Sequence, residues 1–184
     1  MTFDSTDARR RRRRTLLKGF ALAPLWPAWP AAARAAQERT LSFYHTHTDE
    51  RLRIAYFAGG AYVPDALRRI DYLLRDFRTG AVHEIDRRLL DSLHLLCAAC
   101  GGGTLEVISG YRSAETNRML LDGGGVARKS LHMNGQAVDV RISGFDTARL
   151  RDAALALGAG GVGYYPASDF VHLDTGRVRS WTYG

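Results

Sequence analysis

Two histidines in this sequence, His132 and His172, each lie near a carboxylate that could join them in binding a metal ion. Asp139 follows His132 after six intervening residues, and Gly135 between them permits a tight backbone path that would return His132 over the next strand. Two imidazoles and one carboxylate would form a three-ligand zinc site with an open fourth position, as in hydrolytic zinc enzymes. The spacing by itself is more typical of an ordinary surface pair.

The segments that would position these side chains are predicted to be short strands. Residues 137–142 place Val138 and Val140 on one face and Asp139 on the other. Residues 161–165 and 170–174 form a second pair of strands, joined by a turn at 166–168.

The rest of the chain alternates between predicted strands and helices. A hairpin is predicted at 40–47 and 51–57, and a further strand at 104–108. Helices are predicted from Pro64 through Phe77, over 84–99, from a cap at Ser113, and from Asp146 to Gly158. This order favours an α+β domain with a small, largely antiparallel sheet packed by helices. The remaining histidines fall on these elements without a metal-ligand pattern: His45, His47, His83 and His94.

Cys97 and Cys100 are the two cysteines of the sequence, and they close the second predicted helix. Both lie on or beside its apolar stripe, so packing is their expected role. A redox-active pair normally opens a helix instead. Whether the two thiols form a disulfide remains open.

The formal charge of +7 is concentrated at the amino-terminal end of the 184-residue chain. Residues 1–35 carry eight basic and two acidic residues, which leaves residues 36–184 nearly neutral. The basic composition therefore does not indicate nucleic-acid binding, and we expect no nucleic-acid partner.

The same 35 residues have the pattern of an export signal. Arg13 and Arg14 begin a twin-arginine motif, residues 19–33 are uncharged, and Ala33 and Ala35 suit a cleavage site. The uncharged run is too short to span a membrane and contains prolines. We predict a twin-arginine export signal at 1–35 and one domain at 36–184. A disordered basic arm is the alternative, but it leaves the apolar run unexplained.

Three ordered motifs carry a resemblance to a known family. They are Ser109-Gly110-Tyr111-Arg112-Ser113, then Ser130-x-His132-x-x-Gly135-x-Ala137-x-Asp139, then Phe170-Val171-His172-Leu173-Asp174-Thr175-Gly176. Together with residues 46–48, 74–80 and 160–165, they resemble the zinc D-alanyl-D-alanine metallopeptidases, in the YcbK-like branch of exported murein endopeptidases. The resemblance covers nearly the whole of 36–184 and implies the hedgehog/DD-peptidase fold.

The resemblance also implies a zinc cofactor and roles for individual residues. His132, Asp139 and His172 match the zinc ligands, and Arg112 matches an arginine that stabilises the oxyanion or holds a substrate carboxylate. Zinc would activate a water molecule and polarise the scissile carbonyl, and a carboxylate must transfer the proton. Asp169, three residues before His172, is the expected base if it lies in the turn before the strand. Asp174 is the rival, although orienting an imidazole is the commoner use of such a carboxylate.

The implied function is hydrolysis of peptide cross-links in peptidoglycan by a periplasmic zinc metallopeptidase. Its expected partners are peptidoglycan stem peptides and the twin-arginine machinery, and we expect a monomer with no membrane span after processing. A non-catalytic, zinc-containing peptidoglycan-binding module is the main alternative. A zinc carrier is less favoured, because it would need softer or more clustered ligands. The sequence leaves open whether a D,D or an L,D bond is cut, and whether the action is that of an endopeptidase or a carboxypeptidase.

Overall fold

The computed structural model describes residues 38–121 and 126–183, so the predicted signal at 1–35 lies outside the described part. The strands are β1 Arg39–His45, β2 Arg51–Ala58, β3 Ala61–Tyr62, β4 Leu105–Ser109, β5 Ala137–Ile142, β6 Gly161–Tyr165, β7 Phe170–Asp174 and β8 Arg179–Thr182. The helices are α1 Pro64–Leu73, α2 Arg87–Ala99, α3 Ala114–Leu121 and α4 Thr147–Leu157. Two short 3-10 helices, Leu131–Asn134 and Pro166–Ser168, precede β5 and β7.

All eight described strands form one open sheet in the order β3-β2-β1-β4-β5-β7-β6-β8. Two neighbouring pairs are parallel, β1 with β4 and β6 with β8, and the other pairs are antiparallel. The predicted α+β fold with a largely antiparallel sheet is therefore confirmed.

The hydrophobic core lies between one face of this sheet and helices α1, α2 and α4. Val138 and Val140 of β5 and Leu93 of α2 are fully buried in it. Because side chains alternate across a strand, Asp139 faces the other side of the sheet. One face of the sheet therefore packs in the core, and the opposite face carries Asp139.

Most predicted elements appear within two or three residues of their expected ends. The hairpin of β1 and β2, the strand β5, and the pairing of β6 with β7 are confirmed. Helix α4 begins at the predicted cap, where the Asp146 side chain accepts a hydrogen bond from the Arg149 N–H, and ends at Gly158 with φ 59°. β3 and β8 were not predicted from the sequence.

The first helix is the largest departure from prediction. It ends at Leu73, short of Phe77. Beyond it the chain makes a loop, because the buried Asp76 side chain accepts hydrogen bonds from Ser113 and its carbonyl accepts one from the Gly80 N–H. Phe77 therefore reaches its neighbours from a loop, not from a helix.

The two cysteines lie where the helix pattern predicts them. Cys97 is buried in the core and Cys100 packs beside it, both with free thiols. Burial raises the pKa of Cys97 to about 11, which opposes formation of a reactive thiolate. Within 38–121 and 126–183, no helix is long and apolar enough to cross a membrane.

Candidate metal centre

His132 is held at the site by a single turn of 3-10 helix. The Ser130 hydroxyl accepts a hydrogen bond from the His132 N–H at 3.3 Å and caps the turn. Gly135 ends the turn with φ 64°, and a Cβ on it would lie 2.2 Å from the Glu84 carbonyl oxygen. Only glycine fits this position without moving the backbone, so Gly135 allows the chain to turn from His132 into β5.

Asp139 and His172 reach the site from neighbouring strands. They are directly paired residues of β5 and β7, so their side chains project from the same face of the sheet. Ser109 of β4 pairs with Asp139 on its other side, next to an irregularity in the β4 register. The sheet itself therefore fixes the distance between the carboxylate and the imidazole.

Three potential ligand atoms converge at this point. His132 Nε2 lies 3.1 Å from His172 Nδ1 and 3.3 Å from Asp139 Oδ1, and the last two atoms are 2.8 Å apart. Ligand atoms about 2.0–2.1 Å from a tetrahedral zinc ion are separated by roughly 3.3 Å. All three residues are buried. Within the described part of the chain, they form the one cluster with the chemistry and spacing of a metal site.

The second nitrogen of each imidazole has its own partner. His132 Nδ1 lies 2.7 Å from the Gly110 carbonyl oxygen, which can only accept a hydrogen bond, so Nδ1 carries the proton and Nε2 is free to bind a metal. His172 Nε2 lies 3.1 Å from Asp174 Oδ2, so His172 Nδ1 is the nitrogen that faces the cluster. Such outer partners typically fix the tautomer of metal-binding histidines.

Asp174 is itself held rigidly. Its side chain is 0% exposed, and Arg179 donates to both of its oxygens, at 2.6 and 3.0 Å. The backbone N–H groups of Gly161 and Gly176 also donate to Asp174 Oδ1. Asp174 therefore supports His172 and has no free oxygen directed at the open side of the metal centre.

The electrostatics of the cluster favour a charged carboxylate. Burial opposes ionisation of Asp139, but the two imidazoles outweigh it and hold the pKa of Asp139 well below its usual range. Burial likewise opposes protonation of His172, yet hydrogen bonds to Asp139 and Asp174 raise its pKa to about 9. Without a metal, the cluster holds a proton in the place where a cation would bind.

Arg112 lies beside the cluster with its guanidinium directed toward it. The side chain is 8% exposed, with Nη2 3.8 Å from Asp139 Oδ2 and 3.4 Å from Ser109 Oγ. Its Nε is buried without a hydrogen-bond partner among the described residues. Arg112 thus keeps donor capacity that a bound group can use.

Asp169, the expected base, is not brought to the cluster. It lies in the turn before β7, as its proposed role requires, with φ 53°. Its carboxylate, however, accepts a hydrogen bond from Thr147 Oγ1 at 2.7 Å and pairs with Arg141 at 3.4 Å. The side chain is 61% exposed and does not line the cleft that contains His132 and His172.

The metal cluster opens into a cleft of about 420 Å³. Several of its lining residues were not singled out from the sequence: His47, Arg78, Lys129 and Arg179. His47 and Arg78 lie in segments 46–48 and 74–80, which share in the resemblance, but neither residue was given a role of its own. Arg179 could have been suspected as a partner for Asp174, five residues earlier. Tyr165 and Trp181 also line the cleft.

Comparison with known proteins places this chain in a family. Peptidoglycan L,D-endopeptidase MepK of Escherichia coli strain K12 is 40% identical over 182 residues, covering 97% of this chain and 100% of the relative. Probable peptidoglycan L,D-endopeptidase MepK of Haemophilus influenzae strain Rd is 40% identical over 154 residues, or 82% of this chain and 83% of the relative. No solved structure matches the chain significantly. A family profile described as peptidoglycan L,D-endopeptidase MepK matches residues 33–181, so the resemblance is confirmed and the chain belongs to this family of M15 murein endopeptidases.

Proposed function

We propose that this protein is a zinc-dependent murein endopeptidase whose zinc is held by His132 Nε2, Asp139 Oδ1 and His172 Nδ1. The observation that carries the proposal is the convergence of these atoms to within 3.3 Å of one another, with the other imidazole nitrogens already engaged. Two imidazoles and one carboxylate form a donor set typical of catalytic zinc. Zinc would activate water and polarise the scissile carbonyl when bound.

Arg112 is the residue best placed to act on the substrate. Its guanidinium is buried, permanently charged and short of hydrogen-bond partners, and it lies at the edge of the ligand cluster. A donor of this kind stabilises the negative charge that develops on the carbonyl oxygen of an amide under attack. We assign this role to Arg112.

Asp174 is assigned to positioning rather than to proton transfer. Its oxygens accept five hydrogen bonds, from His172, Arg179 and two backbone N–H groups. A carboxylate so engaged orients the imidazole and directs Nδ1 toward the position that a metal would take. Asp169 can serve as the base only if its turn moves away from Thr147.

The substrate we propose is the L,D peptide bond of peptidoglycan cross-links. The relatives in Escherichia coli and Haemophilus influenzae are named for this bond, and the present chain is 40% identical to each of them. We further propose that the chain acts as a monomer in the periplasm after twin-arginine export and removal of residues 1–35.

Digestion of isolated sacculi tests the function. The domain 36–184, loaded with zinc, should release cleaved muropeptides that mass analysis identifies as products of L,D cleavage. His172→Ala should abolish both stoichiometric zinc binding and release. The non-catalytic binding module becomes the better interpretation if the zinc-loaded domain binds sacculi and releases nothing.

Export is tested separately. Arg13→Lys with Arg14→Lys should leave uncleaved protein in the cytoplasm, because the twin-arginine route depends on this pair. Normal export and processing of the double variant would exclude the twin-arginine route.

A further inference from the structure

Among the described residues, the cleft next to the cluster of His132, Asp139 and His172 is lined by more positive than negative side chains. Among the residues that the structure describes, Arg78, Arg112, Lys129 and Arg179 line it, and the lining carboxylates are Asp139 and Asp174. Asp139 is one of the three clustered ligands, and Asp174 is paired with Arg179. Among the described residues, Arg78 has no carboxylate within salt-bridge distance. The excess cations are therefore available to an anionic ligand.

Arg78 and Arg112 both line this cleft. Two cations that line one cleft both attract an anion bound between them. The unpartnered, buried Arg112 Nε shows that one of the two is also short of acceptors.

The loop that carries Arg78 is anchored next to Arg112. Asp76, buried at the base of the loop, accepts from the Arg78 N–H at 3.0 Å and from the Ser113 N–H and hydroxyl at 2.9 and 2.7 Å. Ser113 directly follows Arg112 in the sequence. One carboxylate thus fixes the two arginine-bearing segments relative to each other.

An aromatic ring supports the Arg78 side chain. The Arg78 guanidinium carbon lies 4.2 Å from the centre of the Phe77 ring, and the His47 ring stacks on Phe77 at 4.1 Å between centres. Stacking on an aromatic face restricts the orientation of a guanidinium without using its N–H donors. Arg78 is exposed, so these donors remain open to the cleft.

We propose that Arg78 forms a carboxylate-binding subsite next to Arg112 and recognises a free carboxylate of the cross-link beside the scissile amide. Planar guanidinium groups bind carboxylates through two parallel hydrogen bonds, which orients as well as attracts them. In a cross-link through a diamino acid, the carbon that bears the scissile nitrogen also bears a carboxylate. This proposal rests on the proposed function and specifies which cross-links the enzyme would accept as substrates.

Two cross-linked dimers test the subsite, one with that carboxylate free and one with it converted to the amide. On the free dimer, Arg78→Gln should lower kcat/KM by about 10- to 100-fold, the scale of a hydrogen bond to a charged group. The loss should fall mainly on KM, because the carboxylate is bound in the ground state as well. On the amidated dimer, wild type should already be impaired by a similar factor, and Arg78→Gln should add little.

Control variants separate recognition from general charge effects. Arg53→Gln removes one exposed positive charge of β2, away from the cleft, and should leave both dimers unaffected. Arg78→Lys keeps the positive charge but lacks the planar guanidinium that can donate two parallel hydrogen bonds. It should therefore give an intermediate loss of kcat/KM on the free dimer. Equal losses on the two dimers, or no loss on either, would overturn the subsite.

Binding measurements keep the subsite testable if no hydrolysis occurs. Calorimetric titration of the wild-type domain should then show tighter binding of the free dimer than of the amidated one, with the difference removed by Arg78→Gln. Absence of hydrolysis by wild type would refute the proposed function, whereas equal affinity for both dimers would refute the subsite.

Discussion

Replacing Asp174 by asparagine tests the carboxylate that we assign to positioning His172. In the wild-type structure, Asp174 Oδ2 accepts from His172 Nε2 and Arg179, while Oδ1 accepts from Arg179 and two backbone N–H groups. An amide offers one acceptor atom and one donor group. If its oxygen faces His172, its NH₂ faces the donors of Gly161 and Gly176, and the reverse orientation places NH₂ against His172 Nε2.

Either orientation of the substituted amide weakens the support of His172. We expect zinc affinity to fall by about 10- to 100-fold, the usual cost of losing such an outer partner, which corresponds to about 1.4–2.7 kcal/mol. The metal-free domain should also lose stability, because the Arg179 guanidinium would be left without its buried carboxylate. Turnover at saturating zinc should fall less than zinc affinity does.

Competition with a chromophoric chelator measures the zinc affinity, and thermal melting of the metal-free protein measures the fold. Asp152→Asn is a matched control, because Asp152 is an exposed aspartate paired only with Arg151 among the described residues. Zinc affinity of Asp174→Asn within about twofold of wild type, in a protein that melts cooperatively, would refute the positioning role. Loss of all turnover with zinc still tightly bound would instead make Asp174 the proton-transfer group.

Two further predictions concern carboxylates at the edge of the site. Asp169→Asn should retain zinc and most of its turnover on cross-linked dimers, because the wild-type carboxylate binds Thr147 and lies outside the cleft; a fall of about 100-fold or more would identify it as the base. Asp76→Asn should lower the free energy of unfolding by about 1–3 kcal/mol at neutral pH, measured by urea denaturation, since it weakens buried hydrogen bonds to Ser113. Burial raises the pKa of Asp76, but these hydrogen bonds outweigh it and hold the pKa below its usual range. The stability contributed by Asp76 is therefore present above its unfolded pKa and is lost as pH falls through the lower folded pKa. The free energy of unfolding of Asp76→Asn should therefore fall less at acidic pH than that of wild type. Identical pH dependences of the free energy of unfolding would contradict this prediction.

The cluster of His132, Asp139 and His172 was predicted from local patterns together with the family motifs. Strand alternation already separates Asp139 from Val138 and Val140, and the motif order links it to His132 and His172. What the local pattern could not provide was the register of β5 against β7, which pairs Asp139 with His172. The pairing of two residues so far apart in the sequence depends on the whole sheet. The family motifs supplied this pairing indirectly.

The residues that were missed depend on tertiary contacts. Arg179 meets Asp174 only because β8 adds to the sheet beside β6, and four residues at a sheet edge give little signal in sequence. Arg78 was expected just beyond a helix ending at Phe77, whereas the hydrogen bonds of Asp76 to Ser113 turn the segment into a loop. Asp169 was expected in the turn before β7 and lies there, but its contact with Thr147 of α4 was not visible in sequence.

The position of β1 limits how far the amino terminus can be shortened. β1 begins at Arg39 and has partners on both sides, with β2 antiparallel and β4 parallel to it. Cleavage after Ala35 would leave only residues 36–38 ahead of this interior strand. Removal of the strand would delete Leu41 and Phe43 from the core and expose the unpaired edges of β2 and β4. If the chain is processed as we propose, cleavage only a few residues beyond Ala35 should therefore turn a folded enzyme into an aggregating one.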